Sequence, residues 1–376
     1  MIYFDNNATT KIDERVLDDM WLFLSDNYAN ASSTHALGRS VSAAVEDARE
    51  RIAASIACEP KELVFCSGAT EALNIAIKGA AFSAPEGRNK IITIATEHKA
   101  VLDTCKYLEQ VGFDVVYLPV DRYGVVSIPE LYRALDVQTI AVCAMLVNNE
   151  TGTIQPIAEI IRACKAKETL IICDASQAFG KLPINVKELN VDMLVLSAHK
   201  FHGPKGVGIL YLKNGISLSP ISHGGAHEKG LRSGTLNVPM IIGMAKACEV
   251  AKSELDENSN YVRNLRDHLE LELLRIPGAK LNGHPLLRSN NVVNISFADT
   301  DANVLIAALP ELAISNGSAC TAAVFEPSHV LTAMGLSREN AYGALRFSLS
   351  KYNTIQEVDQ AVSLLTDYLT GIIQTH

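Results

Sequence analysis

The sequence predicts an α/β protein with a mainly parallel, doubly wound sheet and a smaller α+β domain after it. Between about residues 62 and 213, short apolar runs alternate with amphipathic stretches. Strands that alternate with helices form parallel sheets whose two faces are covered by those helices. A long helical pattern then extends from about Pro239 to Leu274, and further strand and helix patterns make up the last third of the chain.

The individual elements follow from their residue patterns. The strand candidates of the large sheet are ELVFCS, NKIITIAT, DVVYLPV, TIAVCAMLV, TLIICDAS, VDMLVLSAHK and GVGILYLK. Stretches such as EALNIAIKGAAF and KAVLDTCKYLEQ have helical periodicity and lie between several of these strands. Near the C-terminus, NNVVNISFAD and RFSLS predict strands, whereas DANVLIAALP and the segment from Thr354 predict helices. We predict a large domain over residues 14–255 and a small domain made of residues 1–13 and 256–376.

Composition limits the possible functions. A chain of 376 residues can form one large domain and one smaller domain. Its formal charge of −9 opposes direct nucleic-acid binding through a basic surface. The sequence contains no apolar run of the roughly 20 residues that span a bilayer, and MIYFDNNATT lacks a signal-peptide pattern. We expect a cytoplasmic protein that binds neither nucleic acid nor membrane.

The eight cysteines differ in their surroundings. They form no CxxC pair and no tight Cys/His cluster, which opposes a zinc site and a disulfide framework, so we predict no metal site. Cys66, Cys143 and Cys173 lie in apolar runs and are expected to be buried. Cys320 lies instead in SNGSACTAA, a run of small and polar residues typical of a loop.

Polar side chains follow several of the predicted strands. LSAHKFHGPKG places Lys200 where a strand leaves the core, either as an exposed charge or as a reactive amine. CDASQ places Asp174 at another strand end, with Gln177 three residues later. Because a buried unpaired carboxylate is costly, Asp174 needs a partner or a ligand. VNNETG and ATEHKAV add Asn149 and His98 at two further strand ends.

A further site feature is the start of a helix. FCSGATEALNIAIKG predicts a strand, a turn at residues 67–70 and a helix that begins near Glu71. Backbone N–H groups at a helix N-terminus bind phosphate when small residues allow close approach. The alternative is an ordinary helix start at which the Thr70 side chain caps the unpaired N–H groups.

These features in combination match the needs of pyridoxal phosphate. Its aldehyde forms a Schiff base with a lysine, and its pyridinium nitrogen needs a carboxylate to stay protonated. Its phosphate needs N–H donors such as those of a helix start. The strand-end lysine, the acid, the glutamine and the helix start therefore predict pyridoxal 5'-phosphate as the cofactor.

The sequence also resembles the cysteine desulfurases, class V aminotransferase-like enzymes of fold type I. The motifs that carry the resemblance are YFDNNATT, SGATEALN, TEHKAVLDTC, VNNETGTIQPI, DASQAFGKLPI, SAHKFHGPKGVG, HGGAHEKGLRSGT, NGSACTAA and RFSLS. They occur in order from residue 3 to about residue 350, and SAHKFHGPKG followed by RSGT and SACT is the most specific series. The resemblance implies a pyridoxal-phosphate-dependent transferase fold with a mainly parallel seven-stranded sheet in its large domain.

The resemblance assigns roles around the cofactor. Lys200 would bind its aldehyde, Asp174 its pyridinium nitrogen and Gln177 its ring oxygen. His98 would stack on the pyridine ring and is a candidate proton shuttle. The residues that would bind the phosphate are Ala69, Thr70, Ser197, His199 and, from the second subunit of a homodimer, Thr235.

The resemblance also assigns a substrate site. Asn149 and Arg346 would hold the substrate carboxylate, Arg346 through its planar fork of donors, and Asn149 would also contact the cofactor. Arg346 lies between Leu345 and Phe347, and this apolar run favours a buried partner over a surface ion pair. His35, in NASSTHALGR, is expected to line the cleft.

Cys320 determines the reaction that the resemblance implies. Lys200 or His98 would remove the α-proton of L-cysteine, and the Cys320 thiolate would attack the substrate sulfur. The products would be L-alanine and a persulfide that passes its sulfur to an acceptor protein. The alternatives are a selenocysteine lyase or class V aminotransferase that does not need Cys320, and a catalytically silent binding partner.

Two features depart from the housekeeping members of the family. Phe201 and His202 stand where an aliphatic residue and a tyrosine are expected, which would alter the rim of the cleft. The chain ends soon after its predicted final helix, so we expect it to lack the longer tail by which some relatives dock an iron–sulfur scaffold protein. Iron–sulfur cluster assembly, tRNA or cofactor thiolation and DNA phosphorothioation all remain open as the pathway served.

Overall fold

The computed structural model describes residues 1–317 and 326–373. The strands within these ranges are β1 (Ile2–Tyr3), β2 (Leu63–Cys66), β3 (Lys90–Ile94), β4 (Asp114–Leu118), β5 (Thr139–Met145), β6 (Leu170–Asp174), β7 (Met193–Ser197), β8 (Gly208–Leu212), β9 (Lys280–Asn282), β10 (Val292–Ser296), β11 (Leu312–Ala313) and β12 (Ala344–Ser348). The helices are α1 (Glu14–Ser25), α2 (Ala36–Ile56), α3 (Ala69–Phe82), α4 (Lys99–Gln110), α5 (Ile128–Ala134), α6 (Ile157–Lys165), α7 (Val186–Leu189), α8 (Val238–Ser253), α9 (Leu255–Leu273), α10 (Ala302–Ala308), α11 (His329–Ala333), α12 (Arg338–Tyr342) and α13 (Ile355–Ile373).

The large sheet confirms the predicted fold class. Seven strands of the described chain form it, in the order β2-β8-β7-β6-β5-β3-β4. The pairs formed by β3 to β7 are parallel, whereas β8 is antiparallel to both β2 and β7. Each of the seven lies within a run that the sequence predicted as a strand. The helices α3 and α4 cover one face, and α1, α2, α6 and α8 the other.

The alternation of side chains along the strands produces two cores, one on each face of this sheet. In β6, Ile171 and Cys173 pack into one core while Ile172 packs into the other, as the two-residue period of a strand requires. Both faces are apolar because helices cover both, which explains why every residue of β5 is buried. Cys66, Cys143 and Cys173 are buried as predicted, and burial raises the pKa of each thiol.

The C-terminal part forms a separate core. The strands β9, β10 and β12 make an antiparallel sheet, and β1 pairs with β11 in parallel. The core includes Ile2 and Phe4 from the N-terminus, together with buried residues between Val262 and Leu369. Because residues 2–4 pack there, the chain begins in this core and returns to it. The division into domains over residues 14–255 and over residues 1–13 with 256–376 stays a prediction.

The long helical pattern between Pro239 and Leu274 differs from the observed structure. It is interrupted at Glu254, so that α8 and α9 are separate helices. The Glu254 carboxylate contacts Arg15 and Lys351, each at 2.7 Å between nitrogen and oxygen. These partners come from opposite ends of the chain, so local periodicity contained no sign of the interruption. No helix in the described ranges has the length and apolarity that crossing a bilayer requires.

Candidate active site

The predicted strand-end residues lie along one edge of the large sheet. His98, Asn149, Asp174 and Lys200 lie at or just after the carboxyl ends of β3, β5, β6 and β7. These four strands are neighbours in the sheet. The chain order also reverses beside β3, with β4 on one side and β5 on the other, and ligands bind α/β sheets at the carboxyl edge beside such a reversal. The topology therefore places these residues at a ligand-binding edge.

Lys200 is held by the N-terminal segment. It ends a short 3-10 turn, Ala198–Lys200, directly after β7. Its Nζ donates hydrogen bonds to the carbonyl oxygens of Asn7, at 2.7 Å, and Ala8, at 2.9 Å. The amine of Lys200 is thus oriented by a segment almost two hundred residues away in sequence.

Asp174 and Gln177 are buried beside it. Asp174 Oδ1 accepts a hydrogen bond from the Ser176 amide at 2.9 Å. The Gln177 side chain donates to the Asn7 carbonyl at 2.9 Å and accepts from Lys181 Nζ at 2.8 Å. The carbonyl oxygen of Asn7 therefore joins Lys200 and Gln177, the two residues predicted to bind the aldehyde and the ring oxygen.

His98 is the N-cap of α4, and its Nδ1 accepts a hydrogen bond from the Ala100 amide at 3.1 Å. Loss of hydration at the sheet edge lowers the pKa of His98, and the charge of Lys200 acts in the same direction while Asp174 opposes it. A lowered pKa keeps the imidazole neutral at neutral pH. Its Nδ1 is then the acceptor nitrogen and its Nε2 carries the proton.

The helix start next to this edge differs in detail from the sequence prediction. The helix α3 begins at Ala69 rather than Glu71, and Gly68 is its N-cap. The alternative in which Thr70 caps the helix is wrong, because Thr70 lies inside the first turn. A β-carbon on Gly208 would lie 2.8 Å from the Gly68 Cα, so glycine lets β8 pass the helix start. A β-carbon on Gly68 would lie 3.7 Å from Ser197 Oγ, which places the Ser197 hydroxyl at the start of α3.

His199 directly precedes Lys200 and contacts the N-terminal segment. Its Nδ1 lies 3.2 Å from Thr9 Oγ1, and its carbonyl oxygen accepts hydrogen bonds from Thr10. Burial, together with the charges of Lys200 and Lys205, lowers the pKa of His199 to about 4. Its role in phosphate binding stays a prediction.

Arg346 is buried, as its apolar neighbours predict, and its partner is acidic. Its Nη2 donates to Asp5 Oδ1 at 2.6 Å, and its Nη1 donates to the carbonyl oxygen of Asn149 at 3.2 Å. Its Nε is buried without a hydrogen-bond partner among the described residues. Arg346 therefore joins the N-terminal segment to the strand end that carries Asn149 and keeps one unsatisfied donor.

Unsatisfied polar atoms indicate that the edge suits a bound group. Besides Arg346 Nε, Ser176 Oγ and Thr96 Oγ1 are buried and lack a partner within residues 1–317 and 326–373. Thr96 and Ser176 lie two residues after the ends of β3 and β6. Buried polar atoms in native proteins are nearly always hydrogen-bonded, so each needs a water or a ligand. The same edge also carries the Lys200 amine, the Asp174 carboxylate and the start of α3, where no side chain caps the N–H groups. This set of groups fits pyridoxal phosphate.

Three predicted residues are not brought to this edge by the described part of the chain. Thr235 lies in an exposed segment before α8, and its contact with a second subunit stays a prediction. His35 is the exposed N-cap of α2, where its Nδ1 accepts from the Gly38 amide at 3.1 Å. This contact gives His35 a structural role, and its place in the cleft stays a prediction. Cys320 lies outside the described residues.

Sequence reasoning missed several residues of the site. Lys181 donates to Gln177, and loss of hydration together with the charges of Lys200 and Arg346 lowers the pKa of Lys181 to about 7. Asn7 and Asp5 lie in the recognised motif YFDNNATT, but nothing in the motif shows which groups they contact. Glu150 follows Asn149 and is buried. The motif VNNETG already placed Glu150 at a predicted strand end, but the sequence assigned no role to it.

Of the two departures at residues 201 and 202, Phe201 is buried and His202 is partly buried. The Phe201 ring packs edge-on against Phe179, with ring centroids 4.7 Å apart. His202 has a left-handed backbone, with φ of 66°, and packs edge-on against Tyr352. Its amide donates to Thr10 Oγ1 at 2.8 Å. These residues therefore pack against the N-terminal and C-terminal segments, which are the same segments that orient the site.

Comparison with known proteins agrees with this geometry. Residues 2–361 match the family described as aminotransferase class-V. The chain belongs to this family. Cysteine desulfurase IscS from Methanosarcina thermophila is 44% identical over 368 residues, which make up 97% of this chain and 91% of that protein. Within the family, the chain therefore belongs to the cysteine desulfurases.

Solved structures of class V relatives are similar over nearly the whole chain. A NifS-like protein has a TM-score of 0.93 and 42% identity, over 98% of this chain and 99% of its own. SspA in complex with cysteine has a TM-score of 0.84 and 37% identity, over 94% of this chain and 100% of its own. These similarities confirm fold type I. Enzymes of this family depend on pyridoxal phosphate.

Proposed function

We propose that this class V protein is a homodimeric, pyridoxal-phosphate-dependent enzyme that converts L-cysteine to L-alanine and carries the released sulfur on Cys320. The observation that carries the proposal is that His98, Asp174 and Lys200 lie at the carboxyl ends of β3, β6 and β7, on the same edge of one run of parallel strands. Cysteine as substrate is further supported by the similarity to SspA, which was solved in complex with cysteine. The described helices give no reason to place the reaction at a membrane, and we propose the cytoplasm.

The cofactor would be held at the sheet edge. When bound, pyridoxal phosphate supplies an electron sink that stabilises negative charge on the substrate Cα. Lys200 would bind its aldehyde, Asp174 its ring nitrogen and Gln177 its ring oxygen. Its phosphate would be bound by Ala69, Thr70, Ser197, His199 and Thr235 of the second subunit.

Proton transfer falls to Lys200 and His98. His98 is neutral at neutral pH because its pKa is lowered, so it can accept a proton. The Lys200 amine is held by the Asn7 and Ala8 carbonyls, which fix its position relative to the sheet edge. Either group would remove the α-proton of L-cysteine, and the same pair would return a proton to the product.

The substrate carboxylate would bind Arg346 and Asn149. Arg346 is buried and retains an unsatisfied Nε–H donor while Asp5 occupies Nη2. A carboxylate that accepts from a buried guanidinium gains a charge-assisted hydrogen bond. The Asn149 backbone is already fixed by Arg346 and Asn7, so its side chain would meet the carboxylate from a rigid turn.

Sulfur transfer would use the Cys320 thiolate. The thiolate attacks the sulfur atom of L-cysteine and forms an S–S bond, while the substrate Cβ–S bond breaks and its electron pair stays with carbon. A proton then reaches that carbon, and L-alanine leaves. The thiol is oxidised to a persulfide as the carbon is reduced, so no external oxidant is required. The persulfide then passes its sulfur to an acceptor protein.

Mass mapping of cysteine peptides under non-reducing conditions tests this function. After incubation with L-cysteine, we expect one added sulfur atom on the Cys320 peptide in the native protein and none in Lys200→Ala. Cys58 provides a matched thiol, because burial raises its pKa to about 12 and leaves it protonated. Cys58→Ala should therefore retain sulfur transfer. An unmodified Cys320 in a protein that consumes cysteine would instead indicate a lyase or a transaminase.

A further inference from the structure

We infer that Glu150 is a positioning residue that anchors both chain segments flanking residues 318–325, the stretch that contains Cys320. The inference rests on the proposed function, because it concerns the thiol that accepts sulfur. It goes further by assigning a role to a buried carboxyl whose hydrogen-bond partner, Ser328, is not among the residues expected to bind the cofactor. The argument uses the described residues on either side of that stretch.

Glu150 is fixed at the sheet edge by its backbone. It lies in the turn after β5, next to Asn149, and is 2% exposed. Its amide donates to Asn148 Oδ1 at 2.9 Å, and its carbonyl oxygen accepts from Asn294 Nδ2 at 3.4 Å. Asn294 belongs to β10 of the small sheet. Glu150 is thus held by both sheets, which makes its carboxyl a rigid anchor.

The segment before the stretch runs directly onto this carboxyl. Ser315 pairs antiparallel with Arg346, whose amide donates to the Ser315 carbonyl at 2.6 Å. Gly317 follows, with a left-handed φ of 80°. A β-carbon on Gly317 would lie 2.6 Å from Glu150 Oε2, closer than a real β-carbon approaches an oxygen. Glycine therefore allows the chain to pass against Oε2 at the last described residue before the stretch.

The segment after the stretch is attached to the same oxygen. The Ser328 hydroxyl donates a hydrogen bond to Glu150 Oε2. Its Oγ also accepts from the Leu331 amide at 3.2 Å, so Ser328 caps α11. One carboxyl oxygen therefore contacts the incoming chain at Gly317 and the outgoing helix at Ser328. This double contact fixes Gly317 and Ser328, which lie on either side of that stretch in sequence, relative to Glu150.

The charges around Glu150 do not remove this anchor at neutral pH. Burial raises the pKa of Glu150 to about 7, while the hydrogen bond from Ser328 and the charges of Arg346 and Lys99 oppose the rise. The carboxyl accepts from a serine hydroxyl in either protonation state. A small displacement of a reacting group costs up to about a hundredfold in rate, so an anchor at both ends matters for sulfur transfer.

Ser328→Ala and Glu150→Ala test the anchor, with Thr332→Ala as the matched control. Thr332 lies on the same helix, and its hydroxyl donates to the Ser328 carbonyl rather than to Glu150. We expect single-turnover persulfide formation on Cys320 to slow by about tenfold or more in both test variants. Binding of L-cysteine should change by less than about twofold, because Glu150 touches no substrate group. Glu150→Gln should retain most of the rate because its amide oxygen still accepts from Ser328.

Hydrogen exchange of the cofactor-free protein supplies a readout independent of turnover. The Leu331 amide and its neighbours in α11 should exchange hydrogen faster in Ser328→Ala and in Glu150→Ala than in the native protein. In Glu150→Gln their exchange rates should be unchanged. Persulfide formation within twofold of the native rate in Ser328→Ala would overturn the inference, as would an equal loss in Thr332→Ala. If Glu150→Ala fails to fold, Ser328→Ala decides the question. A native protein that puts no sulfur on Cys320 contradicts the proposed function, whereas unchanged exchange contradicts the anchor.

Discussion

The strand-end side chains and the side chains from the ends of the chain reach the site by different routes. His98, Asp174 and Lys200 are placed by the strands that precede them, within one parallel sheet. Asp5 lies two residues after β1 and Arg346 lies in β12. Arg346 Nη2 donates a hydrogen bond to Asp5 Oδ1 at 2.6 Å. In the proposed function, the first group would supply the reactive side chains and the second would bind the substrate carboxylate.

Asn7 shows how the second group controls the first. Its carbonyl oxygen accepts from Lys200 and from Gln177, and its Nδ2 donates to the Asn149 carbonyl at 3.0 Å. Its Oδ1 accepts from Asn291 Nδ2 at 2.9 Å. One N-terminal residue therefore hydrogen-bonds Lys200, Gln177 and Asn149 at the edge of the large sheet, and Asn291 just before β10. The strands of the large sheet thus carry the proposed reactive side chains, whereas segments remote in sequence hydrogen-bond those side chains and orient them.

The largest effect is expected for Arg346→Lys, which disrupts the substrate end alone. Lysine keeps the charge but loses the planar fork, so we expect kcat/KM for L-cysteine to fall by about 10- to 100-fold, mainly through KM. The measurement is steady-state production of alanine across a range of cysteine concentrations. Arg266→Lys is the control, since Arg266 is a buried arginine that bonds the Ser289 carbonyl. An unchanged KM in Arg346→Lys would show that the carboxylate binds elsewhere.

A smaller effect is expected for Asn7→Ala. This variant, compared with Asn6→Ala, separates the orientation of the site residues from the stability of the folded protein. The variant loses the hydrogen bonds to Asn149 and Asn291, so we expect kcat to fall by about tenfold and the free energy of unfolding by about 2 kcal/mol. Asn6→Ala loses a comparable bond, from Nδ2 to the Ser348 carbonyl at 2.8 Å. It should lose stability without losing kcat. Equal losses of kcat in both variants would remove the special role of Asn7.

The smallest effect is expected for His199→Asn and concerns pH. Burial lowers the pKa of His199 to about 4 in the folded protein, below its ordinary value of 6.5. The unfolded chain then binds the extra proton first, so the native protein loses stability as pH falls from 6.5 towards 4. Because His199 is half-buried, we expect this loss to be about 1 kcal/mol. Urea unfolding of the cofactor-free proteins at several pH values measures this. The free energy of unfolding should fall less steeply with decreasing pH in His199→Asn than in the native protein. An equal fall in both proteins would contradict the prediction.

The sequence was sufficient for features that depend on local pattern. Apolar runs located all seven strands of the large sheet, and the meeting of Asp174 and Lys200 at one edge follows from parallel strand order. Motif resemblance correctly indicated the family, which the match over residues 2–361 confirms. The start of α3 was misplaced by two residues because Gly68, rather than a side chain, caps it.

Features that depend on distant contacts could not be predicted. Glu254, at which the helical pattern is interrupted, forms ion pairs with Arg15 and Lys351, and both partners are remote from it in sequence. Lys181 and Glu150 have unusual surroundings because segments remote in sequence bury them. Thr235 and His35 stay predictions for the cleft, because their proposed roles depend on a second subunit or a bound substrate.

The central claim is that the lysine at the end of β7 holds the cofactor, and borohydride reduction tests it directly. After loading with pyridoxal phosphate and reduction, peptide mass mapping locates the lysine that carries the group. We expect it on Lys200. Lys181 is a rival amine, since its pKa is lowered to about 7 and it contacts Gln177. Reduced cofactor found on Lys181, or still attached to the protein in Lys200→Ala, would contradict the claim that Lys200 holds the cofactor.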